Sequence, residues 1–420
     1  MKVLVIGGGG REHALIWKLA ASPKVTKIYA APGNGGIAEL AECVAIPVME
    51  IEKMVAFAKE KEIDLTVVAP DDPLVAGMVD ALEAAGLRAY GPSKAAAAIE
   101  GSKVYSKELM EKYHIPTAKC RVFERPEEAL AYIRGQGSYP AVIKAEGLAL
   151  GKGVILAQDY AEAEKAVDDM MVKRIFGGAG SRVVIEEFLT GPEVSVLAFT
   201  DGETLVPMVS AQDHKRAFDG DQGPNTGGMG TFSPSRVYTP ELAAQCMEEI
   251  FLPTIEGLRR EGRPFKGTIF FGLMLTADGP KVIEYNARFG DPETQVVLPR
   301  LKTDLFDIFW AVTEGTLSEL DVEWDDGAAV CVVAASGGYP GKYGTGLEIS
   351  GLAEAEKAGN VKVFHAGTKQ EAGRLVTAGG RVLGITATGE SLDGAIADAY
   401  AAAAKIRFEN MHFRRDIGVK

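Results

Sequence analysis

The sequence predicts a multidomain α/β and α+β protein: an N-terminal parallel α/β domain, a central region with an antiparallel sheet, and a small C-terminal α+β domain. Three observations carry this reading. The first hundred residues alternate short apolar runs with helix-like segments, and the strand-like runs from Val183 to Asn286 lack βαβ spacing. A chain of 420 residues also has room for several domains of roughly 100–200 residues each. The expected divisions are 1–102, 103–326 and 327–420, with a separate lobe at about 121–188 inside the second.

Taken in order, Val3 to Ile6 reads as a strand and Arg11 to Ser22 as a helix. Lys27 to Ala31 (strand), Met49 to Lys61 (helix), Leu65 to Val68 (strand), Val75 to Ala85 (helix) and Leu87 to Tyr90 (strand) continue the rhythm. Parallel strands need such crossovers. From Ser102 the texture changes: Arg121 to Phe123, Ala141 to Lys144 and Val154 to Ala157 read as strands of a small α+β unit, with a helix opening at Pro126. Val183 to Leu189, Glu193 to Phe199, Thr204 to Ser210, Thr268 to Thr276 and Lys281 to Asn286 read as an antiparallel sheet. After Gly327, strands at Ala329 to Ala334, Val361 to His365 and Val382 to Ala387 precede a helix from Leu392 to Ile406.

Charge and cysteine usage narrow the function classes. With 45 Lys plus Arg against 58 Asp plus Glu, the net charge of -13 disfavours a nucleic-acid partner. Cys43, Cys120, Cys246 and Cys331 show no C-x-x-C spacing, so neither a disulfide framework nor a zinc knuckle is expected, and a reducing compartment is. Met1 leads straight into a strand-like run, and no window is long and apolar enough for a bilayer, which disfavours export and membrane insertion.

The 49 glycines point to ligand-hugging loops. Gly7-Gly8-Gly9-Gly10 lies between the first strand and a helix, where free N–H groups and the helix terminus suit an anion. NAD fits poorly: Glu12 and His13 stand where a third glycine belongs, and the second strand ends Ala30-Ala31-Pro32-Gly33 without a ribose-binding acid. A second run, Lys144 to Gly153, resembles a Walker sequence but has the wrong glycine spacing and no Ser or Thr after Lys152. Between two strands, it reads as a hairpin tip able to close over phosphates, with Lys144 and Lys152 supplying charge. Lys144 follows an apolar strand, where an inward lysine needs an anionic partner.

In Lys281 to Asn286, strand alternation puts Glu284 and Asn286 on one face and Ile283 and Tyr285 on the other, so two hard oxygen ligands suited to Mg²⁺ converge. The following Arg288 to Gln295 crowds polar groups into a turn. Asp213 to Gly230 is long, unperiodic and rich in charge and glycine, as functional loops are. Lys215 and Arg216 suit a carboxylate or phosphate there and Asp213 an amine, while a lone His214 is a poor general base.

Together these motifs resemble the ATP-grasp ligases, and within them the glycinamide ribonucleotide synthetase family, nearly end to end. The segments that carry the resemblance are Gly7 to Ala14, Gly101-Ser102-Lys103, Lys144 to Gly153, Glu186 to Leu189, Asp213 to Gly230 and Glu284 to Gln295. The resemblance implies an ATP-grasp fold with a Rossmann-like, pre-ATP-grasp N-terminal domain. It further implies ATP-dependent joining of glycine to 5-phosphoribosylamine through glycyl phosphate, in de novo purine synthesis. ATP with Mg²⁺ or Mn²⁺ would be the cofactors. The expected setting is a cytoplasmic monomer with no fused later enzyme after Lys420.

Carried over by resemblance, Lys103 and Lys144 look like phosphate-contacting lysines, and Gly147, Gly151, Lys152 and Gly153 like the lid. Glu186, Glu187, Phe188 and Leu189 resemble the hinge that holds adenine, and Glu193 the acid that takes the ribose hydroxyls. Glu284 and Asn286 match the metal ligands. Lys215 and Arg288 are the expected catalytic pair, and Gly9, Arg11, Asp213, Asn225, Thr226, Gly227 and Gly290 join them around the two substrates. The chain departs from the pattern at Ala69-Pro70-Asp71, at Glu146, and in Phe271 to Leu275, which has no second metal carboxylate. The number of metal ions is therefore open. Other readings are an ATP-grasp enzyme using a different acid, bicarbonate included, and a silent nucleotide-binding regulator; the intact Lys144, Glu284 and Asn286 set argues against the latter.

Overall fold

The computed structural model describes residues 1–148 and 153–419. Lys2–Gly7 is the middle strand of a five-stranded parallel sheet, ordered Glu42–Cys43, Lys27–Pro32, Lys2–Gly7, Leu65–Val68, Ala89–Tyr90. Val3 to Ile6 are fully buried, as a strand covered on both faces must be. The strand order reverses direction between Lys2–Gly7 and Leu65–Val68, so the loops after these strands, Gly8–Gly9 and Ala69–Pro70, flank the crevice where such sheets take ligands. The single helix expected over Val75 to Ala85 is two, Asp71–Ala76 and Met78–Ala84. Gly77 between them sits at φ +100°, a left-handed conformation that ends the first helix.

A four-stranded antiparallel sheet ordered Cys120–Phe123, Val183–Glu186, Ala141–Ala145, Val154–Ala157 carries helices Pro126–Gln136 and Tyr160–Val167 over its own core of Ile133, Ile143, Val167 and Met170. A second antiparallel sheet runs Leu205–Pro207, Glu193–Thr200, Gly267–Thr276, Gly279–Asn286.

The Asp213 to Gly230 segment, expected to be unperiodic, contains more order than that. Gln212–Asp213 pairs with Gly230–Ser233, and Arg216–Phe218 pairs with Gln222–Asn225 across a turn in which Gly220 and Asp221 take positive φ. Gln212–Asp213 and Gly230–Ser233 then continue into a five-stranded antiparallel sheet with Ala328–Ala335, Arg381–Gly389 and Val361–His365. One sheet thus draws strands from both sides of residue 327. A shared core in which Val3, Val5, Leu197, Phe199, Phe309 and Val333 pack ties the first, third and last sheets together.

The N-terminal helix Gly10–Ala20 meets the C-terminal strand Val361–His365 through two buried histidines: the His365 N–H donates to His13 Nδ1 at 2.7 Å. Burial pushes His365 down from 6.5 to about 4 and His13 well below its usual value. The unfolded chain therefore takes up these protons first, so folding stability drains away as pH falls from about 6.5 toward 4. Melting temperatures of the full chain measured from pH 7 to pH 4.5 should fall, with His365 alone contributing on the order of 3 kcal/mol across the window. A flat profile would show that neither histidine is held neutral.

Candidate active site

Four segments that lie far apart in the chain bring their charges together. On Gly279–Asn286, Tyr285 turns into the core and accepts or donates at Thr254 Oγ1 (2.9 Å), which leaves Glu284 and Asn286 on the opposite, half-buried face. The register with Gly267–Thr276 shifts here: Gly272 pairs with Glu284 and Leu273 with Val282, which leaves Ile283 as the extra residue on the Glu284 strand. A Cβ at Gly272 would stand 2.9 Å from Glu284 Cγ, so the small residue gives the carboxylate its place.

Lys215, from the segment leading into the Arg216–Phe218 hairpin, lies 3.0 Å from Glu193 Oε2 and 3.4 Å from Glu284 Oε1. Lys215 is the main cause that holds the Glu284 carboxyl down at about 2; burial opposes it, and Lys144 and Lys103 add to it. Lys215 in turn is raised well above its usual value: burial would lower it, but Glu193, Glu284 and Asp213 outweigh burial. It stays cationic at neutral pH.

Lys144 is buried, as an inward lysine after an apolar strand should be, and its Nζ sits 3.0 Å from Glu186 Oε2 and donates to the Ile283 carbonyl at 2.9 Å. Lys103 Nζ donates to the Gly147 carbonyl (3.1 Å), and its backbone N–H to the Glu146 carbonyl (2.9 Å). Burial lowers Lys103, against the pull of Glu284. Glu146, the acid that departs from the family pattern, is engaged by both Nε and Nη2 of Arg182 and accepts from Ser102 Oγ. Gly147 and Gly153 flank the hairpin tip, with Ala145 N–H donating to the Gly153 carbonyl at 2.8 Å. Gly151 and Lys152 lie outside the described residues.

The four residues expected to form a hinge divide. Glu186 is buried and its side chain faces lysines, Glu187 exchanges hydrogen bonds with the Lys119 backbone, Leu189 is half-buried and Phe188 is exposed. Asp213 stands near Glu293, and burial together with that neighbour raises it well above the carboxylate range. Thr226 donates to the Lys215 carbonyl through both N–H and Oγ1, and the Gly227 carbonyl accepts from Arg381 Nη1 at 2.6 Å. Asn225, at the end of the hairpin, is exposed. Gly290 is packed against Glu293, whose Oε2 would lie 2.4 Å from an added Cβ.

The glycine loop is further engaged than the sequence suggests. Gly9 N–H donates to Glu12 Oε2 at 2.6 Å and Arg11 N–H to Asp291 Oδ2 at 3.3 Å, so carboxylates of the chain itself already face this helix terminus. Arg11 Nη1 donates to the Phe289 carbonyl at 3.0 Å, joining the loop to the polar turn. Arg288 points at Glu100 (3.0 Å) and Asp71 (3.8 Å).

Four contributors were not singled out in the sequence. Glu100 stands beside the Gly101-Ser102-Lys103 motif; Lys107 is four residues beyond Lys103 and on the same helical face; Glu293 lies inside the Glu284 to Gln295 segment; Arg381 carries no local signal. Lys107 Nζ lies 3.2 Å from Glu186 Oε1 and donates to Thr117 Oγ1 at 2.8 Å.

Among the described residues, no group of three His, Cys, Asp or Glu side chains could hold a metal by itself. Glu284 and Asn286 still fit a hard cation whose other ligands are phosphate oxygens and water. Asn286 Nδ2 is spent on Glu100 Oε1 (3.1 Å), which leaves the amide oxygen as the outward end.

The sheets, the lysines and the carboxylate–amide pair define an ATP-grasp enzyme. The chain belongs to the phosphoribosylamine-glycine ligase family. Its residues 1–100, 101–294 and 329–420 match the N, ATP-grasp (A) and C domains of phosphoribosylglycinamide synthetase. It is 52% identical over 417 residues to the phosphoribosylamine-glycine ligase of Caldanaerobacter subterraneus, covering 99% of each chain. With that of Halalkalibacterium halodurans it shares 53% over 420 residues, 100% of this chain and 97% of the other. The crystal structure of the Thermotoga maritima phosphoribosylamine-glycine ligase superposes with TM-score 0.87 at 36% identity, covering 100% of both chains. A biotin carboxylase from Campylobacter jejuni shares the fold alone, at TM-score 0.74 and 14% identity over 98% of this chain and 92% of that one.

Glu186 is held by two buried lysines, one on each oxygen, and losing Lys107 leaves Oε1 buried with no cation against it. Lys107→Met should therefore lower unfolding stability in urea by about 3 kcal/mol. A loss below about 1 kcal/mol would show that Lys144 alone satisfies the carboxylate.

Proposed function

We propose that the chain joins glycine to 5-phosphoribosylamine, converting ATP to ADP and phosphate and releasing glycinamide ribonucleotide. The observation that carries this reading is the convergence of Lys103, Lys144 and Lys215 on Glu284, with the Asn286 amide oxygen beside it. Concentrated positive charge next to hard oxygen donors suits a polyphosphate and its metal. The full-length identity to phosphoribosylamine-glycine ligases points to the substrates.

In this reading a glycine carboxylate oxygen attacks the γ-phosphorus in line, the bond to the β-phosphate oxygen breaks, and ADP leaves. Lys103, Lys144 and Lys215 spread the charge that builds on the phosphoryl oxygens. The phosphoribosylamine nitrogen then attacks the acyl carbon of glycyl phosphate, phosphate departs, and the amine loses a proton. That nitrogen is already nucleophilic, so positioning contributes more than base catalysis. Glu284 and Asn286 would hold Mg²⁺ or Mn²⁺, which when bound neutralises phosphate charge. The lobe at 120–186, with Gly147 and Gly153 at its tip, closes over the phosphates and keeps water from the mixed anhydride. Asp213 and Glu293 lie where an ammonium group would relieve their mutual repulsion. The reading places the chain in the cytoplasm, which its four free thiols suit.

Incubation with ATP, glycine and freshly made phosphoribosylamine should yield ADP and glycinamide ribonucleotide together, and bicarbonate in place of glycine should yield neither. Glu284→Ala should cut glycine-dependent ADP release about a hundredfold or more while circular dichroism stays unchanged. Undiminished turnover in that variant would remove Glu284 from the site, and ADP release with bicarbonate would redirect the assignment to a carboxylase.

A further inference from the structure

One carboxylate grips three consecutive residues at the end of the Glu284 strand. Glu100, the penultimate residue of helix Lys94–Gly101, is buried. Its Oε2 accepts from the Ala287 backbone N–H at 2.7 Å, and its Oε1 receives both Asn286 Nδ2 at 3.1 Å and Arg288 Nη2 at 3.0 Å. The two residues that follow the helix end at Gly101, Ser102 and Lys103, cap and open the next helix, and Lys103 acts on Glu284.

An amide has two ends of nearly equal shape and opposite hydrogen-bonding character, so its own geometry does not decide which end faces a ligand. A carboxylate is acceptor-only and settles the matter. Were the Asn286 amide reversed, its oxygen would face Glu100 Oε1, and two acceptors would meet in a buried space with no proton between them. Three N–H donors converge on the two Glu100 oxygens, and none of the three can accept a proton in return.

We infer that Glu100 is a positioning residue that holds the Asn286 amide with its oxygen toward the divalent cation and, in the same contact, fixes Arg288. This rests on the reading of Glu284 and Asn286 as metal ligands. Both Glu100 oxygens are taken by donors of the chain itself, and it acts by excluding the wrong amide orientation. Ligand-orienting partners of this kind typically change metal affinity 10–100-fold when removed, an order-of-magnitude guide.

The test exchanges the chemistry across the pair. Glu100→Gln is nearly isosteric but offers one acceptor oxygen to three donors, so the contact no longer dictates which end of the Asn286 amide turns inward. Glu100→Gln/Asn286→Asp restores a donor facing an acceptor and again offers oxygen to the metal. Free Mn²⁺ is measured by electron paramagnetic resonance in titrations of the full-length protein with a non-hydrolysable ATP analogue, alongside melting temperature. The single variant should bind Mn²⁺ about tenfold or more weakly, and the double variant should return to within about threefold of the parent. A double variant that folds but remains as weak as the single one overturns the proposal, as does a single variant that binds like the parent. Glu284→Gln run in parallel separates the two readings: if it binds Mn²⁺ undiminished, the metal assignment itself has failed and the role of Glu100 falls with it.

Discussion

Lysines held close together in a partly dry cleft repel one another, and the rest of the site follows from how this chain answers that repulsion. Carboxylates interleave with them: Glu186 lies between Lys107 and Lys144, and Lys215 lies between Glu193 and Glu284, while Lys103 is met by the Gly147 carbonyl. Exposure separates the two groups. The Glu186 side chain is 3% exposed and its lysines 7% and 9%, whereas Lys215 is 37%, Glu284 36% and Glu193 45%. A buried pair is costly to open because the freed charge has no water to turn to. An exposed pair is worth little and exchanges partners readily. The Glu186 pairs are therefore a fixed frame that aims Lys144, while the Lys215 contacts are those a phosphate or metal can replace.

The frame depends on backbone placed by distant sequence. Lys144 reaches the Ile283 carbonyl 139 residues away, and Glu100 reaches Asn286 across 186. Neither contact could form unless the lobe at 120–186, the helix ending at Gly101 and the strand Gly279–Asn286 were already fixed relative to one another. The common core through Val5, Leu197 and Phe309 fixes the parallel sheet to the central one. The lobe at 120–186 has its own core and meets the site through the Lys144 side chain and through the Glu146 and Gly147 carbonyls, which accept from Lys103.

The same contrast explains what could be read from residues alone. Strands such as Lys2–Gly7 were legible because burial on both faces leaves an unbroken apolar run, whereas the strand expected over Val183 to Leu189 beside Glu193 to Phe199 ends at Glu186 and pairs instead within the lobe at 120–186. Inward-facing Lys144 was legible for the converse reason, a charge at the end of such a run. The broken helix at Gly77 was missed because apolar periodicity continues across it, although an internal glycine is itself a warning. Gln212–Asp213 and Arg216–Phe218 are too short to show a period. Glu100 and Lys107 look like ordinary polar helix residues because what makes them unusual is burial against partners far away in the chain.

The C-terminal unit belongs to the site through contact with the hairpin that follows Lys215. Arg414 is fully buried: it pairs with Asp416 and Asp221, and its Nη1 donates to the Arg216 carbonyl at 3.1 Å. Beside it, Arg415 N–H donates to Asp219 Oδ1, Gly220 N–H to Asp416 Oδ2, and His412 Nε2 meets the Ala217 carbonyl at 2.8 Å. A hairpin of three- and four-residue strands has too few ladder bonds to hold its own shape. Its rigidity comes from these tail contacts and from Thr226, which returns to the Lys215 carbonyl. The position of Lys215 between Glu193 and Glu284 is thus set at both ends of the chain's last 210 residues, by the strand at Gln212–Asp213 and by the tail around Arg414. This gives the last sheet a physical reason to take strands from either side of residue 327.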